Sequence, residues 1–207
     1  MREKKNMANS AKNKGDRGER ESVIELVERM PDHAFPDSKR MFGAGRKYDV
    51  GDLFVLPDTA VQAKNFKASS LGAAIIESAD GAVRQAKNGS LEHALGMVKV
   101  PGARKGTVTW LATIDTDHAD ATEFEPVCDF KMVSKLMTWI RDDEGPYGYR
   151  PWPRQIRVAA FSGSRSGSVQ LVMPIEAWTE WYVSSHPTLA ERDAKTMGNF
   201  THLVAAE

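Results

Sequence analysis

The chain has 207 residues, 41% of them hydrophobic and 27% charged, which is enough for one full α/β domain with an extension and a sizeable core. Its single cysteine, Cys128, excludes an internal disulfide framework and a cysteine-rich zinc site. No apolar run is long enough for a membrane span or a secretory signal, so we expect a cytoplasmic protein without a membrane partner. The formal net charge is zero, so any binding of nucleic acid would depend on where the charges lie.

The first predicted element is a helix that begins at Asp16, after a flexible basic tail over residues 1–13. Because successive helical residues turn by about 100°, Glu19 shares one stripe with Leu26 and Met30 and is expected to face the core. A carboxylate in that position needs a partner, and a divalent cation is one that would satisfy it. The alternative is that Asp16 and Glu19 form a capping box that serves only the first helical turn.

The next pattern predicts a β-hairpin, with strands over residues 52–56 and 60–66 and a turn at 57–59. A three-residue turn would place Asp52 opposite Lys64 and Phe54 opposite Gln62. Because side chains alternate along a strand, Gln62 and Lys64 share one face. We therefore expect Asp52, Gln62 and Lys64 to converge.

Asp49 is a second candidate for the strand carboxylate. Its parity differs from that of Asp52, so an unbroken strand would point it away from the other two side chains. A bulge at Gly51 could re-aim it.

The order of these motifs is similar to that of the PD-(D/E)XK nuclease superfamily. The motifs are Lys-Gly-x-x-x-Glu-Arg-Glu from residue 14, Gly-Asp-Leu from residue 51 and Gln-x-Lys from residue 62. Within the superfamily the chain most resembles Holliday junction resolvases of the archaeal and phage type, over roughly residues 12–88. The resemblance implies an α/β fold with a restriction-endonuclease-like core, in which helices flank a mixed central β-sheet.

The resemblance also implies roles for individual residues. Glu19 and Asp52 match the metal-binding carboxylates, Gln62 stands where a Glu or Asp is usual, and Lys64 matches the motif lysine. Arg20 matches an arginine that follows the helix glutamate in the resolvases. The carboxylates of Glu19 and Asp52, the amide oxygen of Gln62 and the backbone carbonyl of Ala63 would then be ligands suited to Mg²⁺ or Mn²⁺, which would activate water for phosphodiester hydrolysis.

The neutral Gln62 leaves three functions open. Gln-x-Lys also occurs in modification-dependent restriction endonucleases of the same superfamily, so a restriction or repair endonuclease is the alternative to a resolvase. A non-catalytic nucleic-acid-binding protein with a degenerate site is the third, because an amide removes a negative charge from the site. A resolvase cuts two strands of branched DNA symmetrically, so that function implies a homodimer.

Two basic stretches supply candidate contacts to DNA phosphates. The alternative is a solubilising tail followed by an ordinary polar loop. The candidate DNA-binding residues are Lys14, Arg17, Arg20, Lys39, Arg40, Arg46, Lys47 and Lys67.

The remaining chain follows a β/α pattern. Helices are predicted over residues 69–87, 129–140 and 174–183, with strands over 97–100, 107–114, 156–161 and 168–173. A segment rich in Pro and Gly at 142–153 is the predicted linker between a nuclease core, residues 14–141, and a C-terminal β/α extension, residues 154–207.

Two groups of polar residues outside the motifs are given no functional role. The acidic loop that contains Asp115, Asp117, His118 and Asp120 is predicted to be a solvated connection. The histidines at 33, 93, 186 and 202 have no nucleophile partner in the sequence pattern, which argues against a catalytic triad.

Overall fold

The computed structural model describes residues 2–41, 51–103, 108–141, 157–163 and 167–193, with side chains from residue 13 onward. The helices are α1 (Arg2–Arg29), α2 (Leu71–Gly89), α3 (Val133–Arg141) and α4 (Ile175–Ser185). The strands are β1 (Lys39–Arg40), β2 (Leu53–Phe54), β3 (Thr59–Lys64), β4 (His93–Lys99), β5 (Trp110–Asp115), β6 (Cys128–Phe130), β7 (Ala159–Ser162) and β8 (Val169–Pro174). Two short 3-10 helices cover Ala68–Ser70 and Ala119–Glu123.

The eight described strands form one mixed sheet in the order β1-β2-β3-β4-β5-β8-β7-β6. β3 pairs with β4, and β6 with β7, in parallel, whereas the other neighbours are antiparallel. The predicted α/β class, with helices flanking a mixed sheet, is therefore confirmed. None of the described helices is both long and apolar enough to span a membrane.

The helices cover both faces of the sheet, because each face presents a separate apolar cluster. Leu26 and Met30 of α1 pack with Trp178 of α4 in one cluster, which includes Val61 of β3. Ile75 of α2 packs with residues of α3 in a second cluster. α2 is the crossover that the parallel β3–β4 pair requires.

The helix α1 begins earlier than predicted. It starts at Arg2, so residues 2–13, predicted as a flexible tail, continue the helix. This stretch lacks proline and glycine, and eight of its twelve residues are Lys, Ala, Arg, Glu or Met, which favour helix. Asp16 consequently lies inside the helix, and a capping box at Asp16 is excluded. The predicted inward stripe is confirmed at Leu26 and Met30, which are fully buried.

The register of the hairpin differs from the prediction by two residues. Leu53 of β2 pairs with Val61 of β3, which places Asp52 opposite Gln62 rather than opposite Lys64. The cause is Thr59, predicted as part of the turn, which instead begins β3 and pairs with His93 in parallel register. A shift of two residues preserves the parity of every side chain, so the face that each residue occupies is unchanged.

The later part of the chain needs one correction of element type. Residues 129 and 130, predicted as the start of a helix, belong instead to β6, which pairs with Ala159–Phe161 of β7 in parallel register. The helix α3 begins only at Val133. A strand in this position depends on pairing with a segment about thirty residues away, which overrides local helix preference.

Both sides of the predicted linker contribute to the same sheet. β8 lies between β5 and β7, and β7 separates β8 from β6. The linker residues 142–153 lie outside the described residues, so the division into core and extension stays a prediction. The strands β7 and β8, which follow the predicted linker, are nevertheless an integral part of the central sheet.

Candidate functional site

The helix α1 approaches the end of β3 very closely at Gly18. A Cβ atom built on Gly18 would lie 2.6 Å from the Cβ of Asn65, so only glycine fits this contact. The Asn65 side chain donates a hydrogen bond to the carbonyl of Lys14 (3.1 Å), and the Lys14 ammonium donates to the carbonyl of Phe66 (2.9 Å). These contacts fix the turn of α1 that carries Glu19 beside the end of the strand that carries Lys64.

Asp52 and Gln62 are brought together across the hairpin. The Gln62 amide donates a hydrogen bond to the Asp52 carboxylate. The same carboxylate oxygen accepts the backbone N–H of Ala63 (3.1 Å). Because the N–H and C=O of one strand residue point towards the same neighbour, the Ala63 carbonyl also lies on the Asp52 side of β3.

Gln62 is more enclosed than a solvated strand residue. It is 8% exposed, and its amide oxygen accepts a hydrogen bond from Gln85 of α2 (2.9 Å). Gly81 of α2 leaves room for it, since a Cβ built there would lie 2.9 Å from the Gln62 side chain. In this arrangement the Gln62 oxygen faces Gln85 and the Gln62 nitrogen faces Asp52. Gln62 therefore orients Asp52 here, which differs from the predicted role as an oxygen ligand of the metal.

Glu19 lies near a basic pair of side chains. Its carboxylate is 3.1 Å from the Nε of Arg40, and the Nη2 of the same guanidinium donates a hydrogen bond to Asp16 (3.0 Å). Burial raises the pKa of Glu19 above its ordinary value and Asp16 adds to this effect, whereas Arg40 and Lys64 act in the opposite direction. Glu19 and Lys64, the two predicted site residues, therefore lie within electrostatic range of each other.

Several predicted DNA-binding cations already have partners within the chain. These are Lys14, Arg17, Lys39 and Arg40. Arg20 and Lys67 are exposed. Asp49, Arg46 and Lys47 lie outside the described residues, so their predicted roles stay predictions.

A groove of about 740 Å³ begins where β3 ends. Its walls include Asn65 and Phe66 together with Lys14, Lys99 and Trp110. The Lys99 ammonium lies 5.8 Å from the centroid of the Trp110 ring, a cation–π distance. The groove thus combines aromatic rings with charges of both signs, because Glu21, which pairs with Lys99 and Arg17, also lines it.

Comparisons with protein families, with curated proteins and with solved structures found no match to this chain. The nuclease resemblance consequently depends on the motif residues themselves and on how the fold arranges them.

A second polar cluster, absent from the sequence predictions, lies at the opposite end of β3. The Nε2 atoms of His93 and His186 are 2.8 Å apart, and both lie near the carboxylate of Asp58. The Asp58 carboxylate accepts hydrogen bonds from Tyr182 (2.6 Å) and Arg192 (2.6 Å).

Asp120 belongs to this cluster, so the prediction that it lies in a solvated loop is wrong. It is 4% exposed and accepts hydrogen bonds from His93 Nδ1 (2.9 Å) and from the backbone N–H of Ala94 (3.0 Å). Burial alone would lower the pKa of His93, but the Asp120 hydrogen bond and the nearby carboxylates raise it. Asp117 of the same loop is exposed, as predicted.

No local sequence pattern marked the second cluster. His93 begins a strand, Asp58 precedes one and His186 follows α4, so 93 residues separate the two histidines along the chain. Only the parallel pairing of β3 with β4, and the packing of α4 on the sheet, bring them together.

Proposed function

We propose that the protein is a metal-dependent, structure-selective DNA endonuclease with its site at Glu19, Asp52 and Lys64, and that its substrate is branched DNA of the Holliday junction type. The observation that carries this proposal is the convergence of Asp52 with Gln62 across the hairpin. Lys64 occupies the same face of β3 by alternation, and Glu19 lies within electrostatic range of Lys64. The restriction-endonuclease-like core is part of the same proposal.

The donor set fits a hard divalent cation. Carboxylates of Glu19 and Asp52 and the Ala63 carbonyl are oxygen ligands of the kind that Mg²⁺ and Mn²⁺ prefer. The raised pKa of Glu19, which comes first from burial, indicates a carboxylate whose ionised form is incompletely compensated by the chain. A bound cation would supply that compensation, and it would neutralise phosphate charge and acidify a bound water.

The chain's own residues would perform the remaining tasks. Asp52 is held in one orientation by Gln62 and the Ala63 N–H, so its carboxylate oxygens have a fixed direction. Lys64 would orient the attacking water and offset negative charge as it develops on the phosphate. The groove beside Asn65 and Phe66 would accept the nucleic acid next to these residues.

The test is cleavage of labelled four-way junction, duplex and single-stranded DNA in Mg²⁺ or Mn²⁺. We expect junction cleavage, and we expect Asp52→Asn and Lys64→Ala to lower its rate by at least about a hundredfold, because each removes a group that acts on the metal or on water. Asp37→Asn and Lys87→Ala are matched controls, since both residues are exposed. Turnover by folded Asp52→Asn protein at the wild-type rate would remove Asp52 from the mechanism.

The same assay distinguishes the alternatives. Cleavage of duplex in preference to junction DNA would identify a restriction or repair endonuclease. Binding in Ca²⁺ without cleavage in Mg²⁺ or Mn²⁺ would favour a non-catalytic DNA-binding protein. The non-catalytic candidate is favoured by the hydrogen bonds of the Gln62 amide, because the bond from Gln85 occupies the amide oxygen that would otherwise face a metal. Sedimentation measurements would test the homodimer that a resolvase requires.

A further inference from the structure

The histidine and carboxylate cluster beside α4 joins three separate parts of the fold. Asp58 lies in the turn before β3, His93 is the first residue of β4, and His186 directly follows α4. One ligand atom from each of these three side chains lies within 4.8 Å of the other two. Along β3 the cluster is four residues from Gln62, or about 13 Å, which makes it distinct from the candidate nuclease site.

The hydrogen bonds of the two histidines determine where their protons lie. His93 Nδ1 faces the carboxylate of Asp120 (2.9 Å), and His186 Nδ1 faces the backbone carbonyl of Tyr182 (3.0 Å). Both partners are acceptors, so each Nδ1 carries a hydrogen, and in a neutral ring Nε2 then presents a lone pair. Two such lone pairs at 2.8 Å would repel, so the pair of nitrogens needs a cation between or beside them, which is either a shared proton or a metal ion.

Asp58 supplies a third donor atom. A carboxylate offers about four acceptor positions, and three are engaged by Thr59, Tyr182 and Arg192. One position is left to face the histidine nitrogens. Two imidazoles and one carboxylate are a common ligand set for Zn²⁺.

The surroundings of the histidines match those of metal-bound histidines in general. A ligating histidine usually donates its second N–H to a carboxylate or a backbone carbonyl, which fixes the ring and makes the ligating nitrogen more basic. The Asp120 carboxylate is the acceptor for His93 Nδ1, and the Tyr182 carbonyl is the acceptor for His186 Nδ1. The cluster is also enclosed, because His93 is 5% exposed and Trp181 packs edge-on against both rings.

We propose that Asp58, His93 and His186 bind one divalent transition-metal ion, Zn²⁺ being the best match, and that this ion ties the end of α4 to the starts of β3 and β4. The imidazole nitrogens separate this site from the proposed nuclease site, whose oxygen donors suit Mg²⁺. The ion acts as a cross-link between elements that are far apart in the chain.

The test uses the full chain after treatment with a chelator. Zn²⁺ is titrated in competition with a chromophoric chelator, in the presence of millimolar Mg²⁺, and Tm is measured with and without Zn²⁺. We expect one Zn²⁺ per chain and a rise in Tm of about 5–10 °C at a free Zn²⁺ concentration a hundredfold above Kd. His186→Gln should weaken Zn²⁺ binding at least about a hundredfold, since one of three ligands is lost. Asp117→Asn, which changes an exposed carboxylate outside the triad, should bind as the wild type does.

Co²⁺ provides a readout that does not depend on any variant being folded. Bound to the unmodified chain, it should give the intense visible absorption of a four-coordinate site with nitrogen ligands. Absence of Zn²⁺ binding by the wild-type chain would overturn the proposal and would leave a shared proton as the cation between the two nitrogens. Equal Zn²⁺ affinity of wild-type and His186→Gln proteins would overturn it as well. Neither outcome depends on whether the protein cuts DNA.

Discussion

Gly18 gives the sharpest test of how α1 is docked, because a second glycine on the same helix serves as its control. Both Gly18→Ala and Gly15→Ala should gain about 1 kcal/mol of helix propensity. Carbon atoms in contact are ordinarily 3.5–4.0 Å apart, so a Cβ on Gly18, at 2.6 Å from the Cβ of Asn65, is too close by about 1 Å. A Cβ on Gly15 meets nothing within 4 Å. The overpacking cost at Gly18, about 1–3 kcal/mol, should therefore equal the difference in unfolding free energy between the two variants.

Urea unfolding followed by circular dichroism measures this difference. We expect Gly15→Ala to be more stable than wild type and Gly18→Ala to be less stable than Gly15→Ala by that amount. Asn65→Gly removes the opposing Cβ, so it should recover stability in the Gly18→Ala background more than in wild type. Since the displaced turn carries Glu19, junction cleavage should fall in Gly18→Ala and not in Gly15→Ala. Equal stabilities of the two alanine variants would refute the close approach.

Three further predictions concern single side chains. Gln62→Glu replaces an amide donor with a second carboxylate against Asp52, so the Tm should fall in the presence of a chelator and recover when Mg²⁺ is added. A Tm that does not change with Mg²⁺ would count against a metal at this position. Burial raises the pKa of Glu19, so ionisation of this carboxyl group costs folding free energy. The unfolding free energy of Glu19→Gln relative to wild type should therefore rise as pH increases from 4 to 8. A difference in unfolding free energy that does not change with pH would contradict this. Tyr182→Phe leaves Asp58 with one donor fewer and should cost about 1–2 kcal/mol of unfolding free energy, which calorimetry would detect.

The convergence of Asp52 with Gln62 was predictable because both residues sit on one hairpin, where periodicity fixes the direction of each side chain. Parity alone places Asp52, Gln62 and Lys64 on one face, and it survives the two-residue error in register. The register itself was not predictable from the hairpin. It depends on Thr59, whose partner is His93 of β4, a residue outside the hairpin.

Features that depend on distant contacts were not predictable in the same way. β6 looks helical in isolation and is a strand only because β7 pairs with it. Gln62 carries no sequence signal for the Gln85 hydrogen bond, which needs α2 to lie against β3. Asp120 has the composition of a solvated loop, and it is buried because the start of β4 passes beneath it.

The position of β8 in the sheet also has a consequence for synthesis on the ribosome. A nascent chain that has emerged only as far as residue 141 lacks both β7 and β8. In that chain β5 has no partner on its β8 side, and β6 has no partner in β7. β5 is buried over most of its length in the finished protein, so its unpaired edge is apolar and open to pairing with other chains. The complete sheet can form only after residues 169–174 have been made, which favours folding late in translation. Truncation at residue 141 should therefore yield an aggregating product rather than an isolated folded domain.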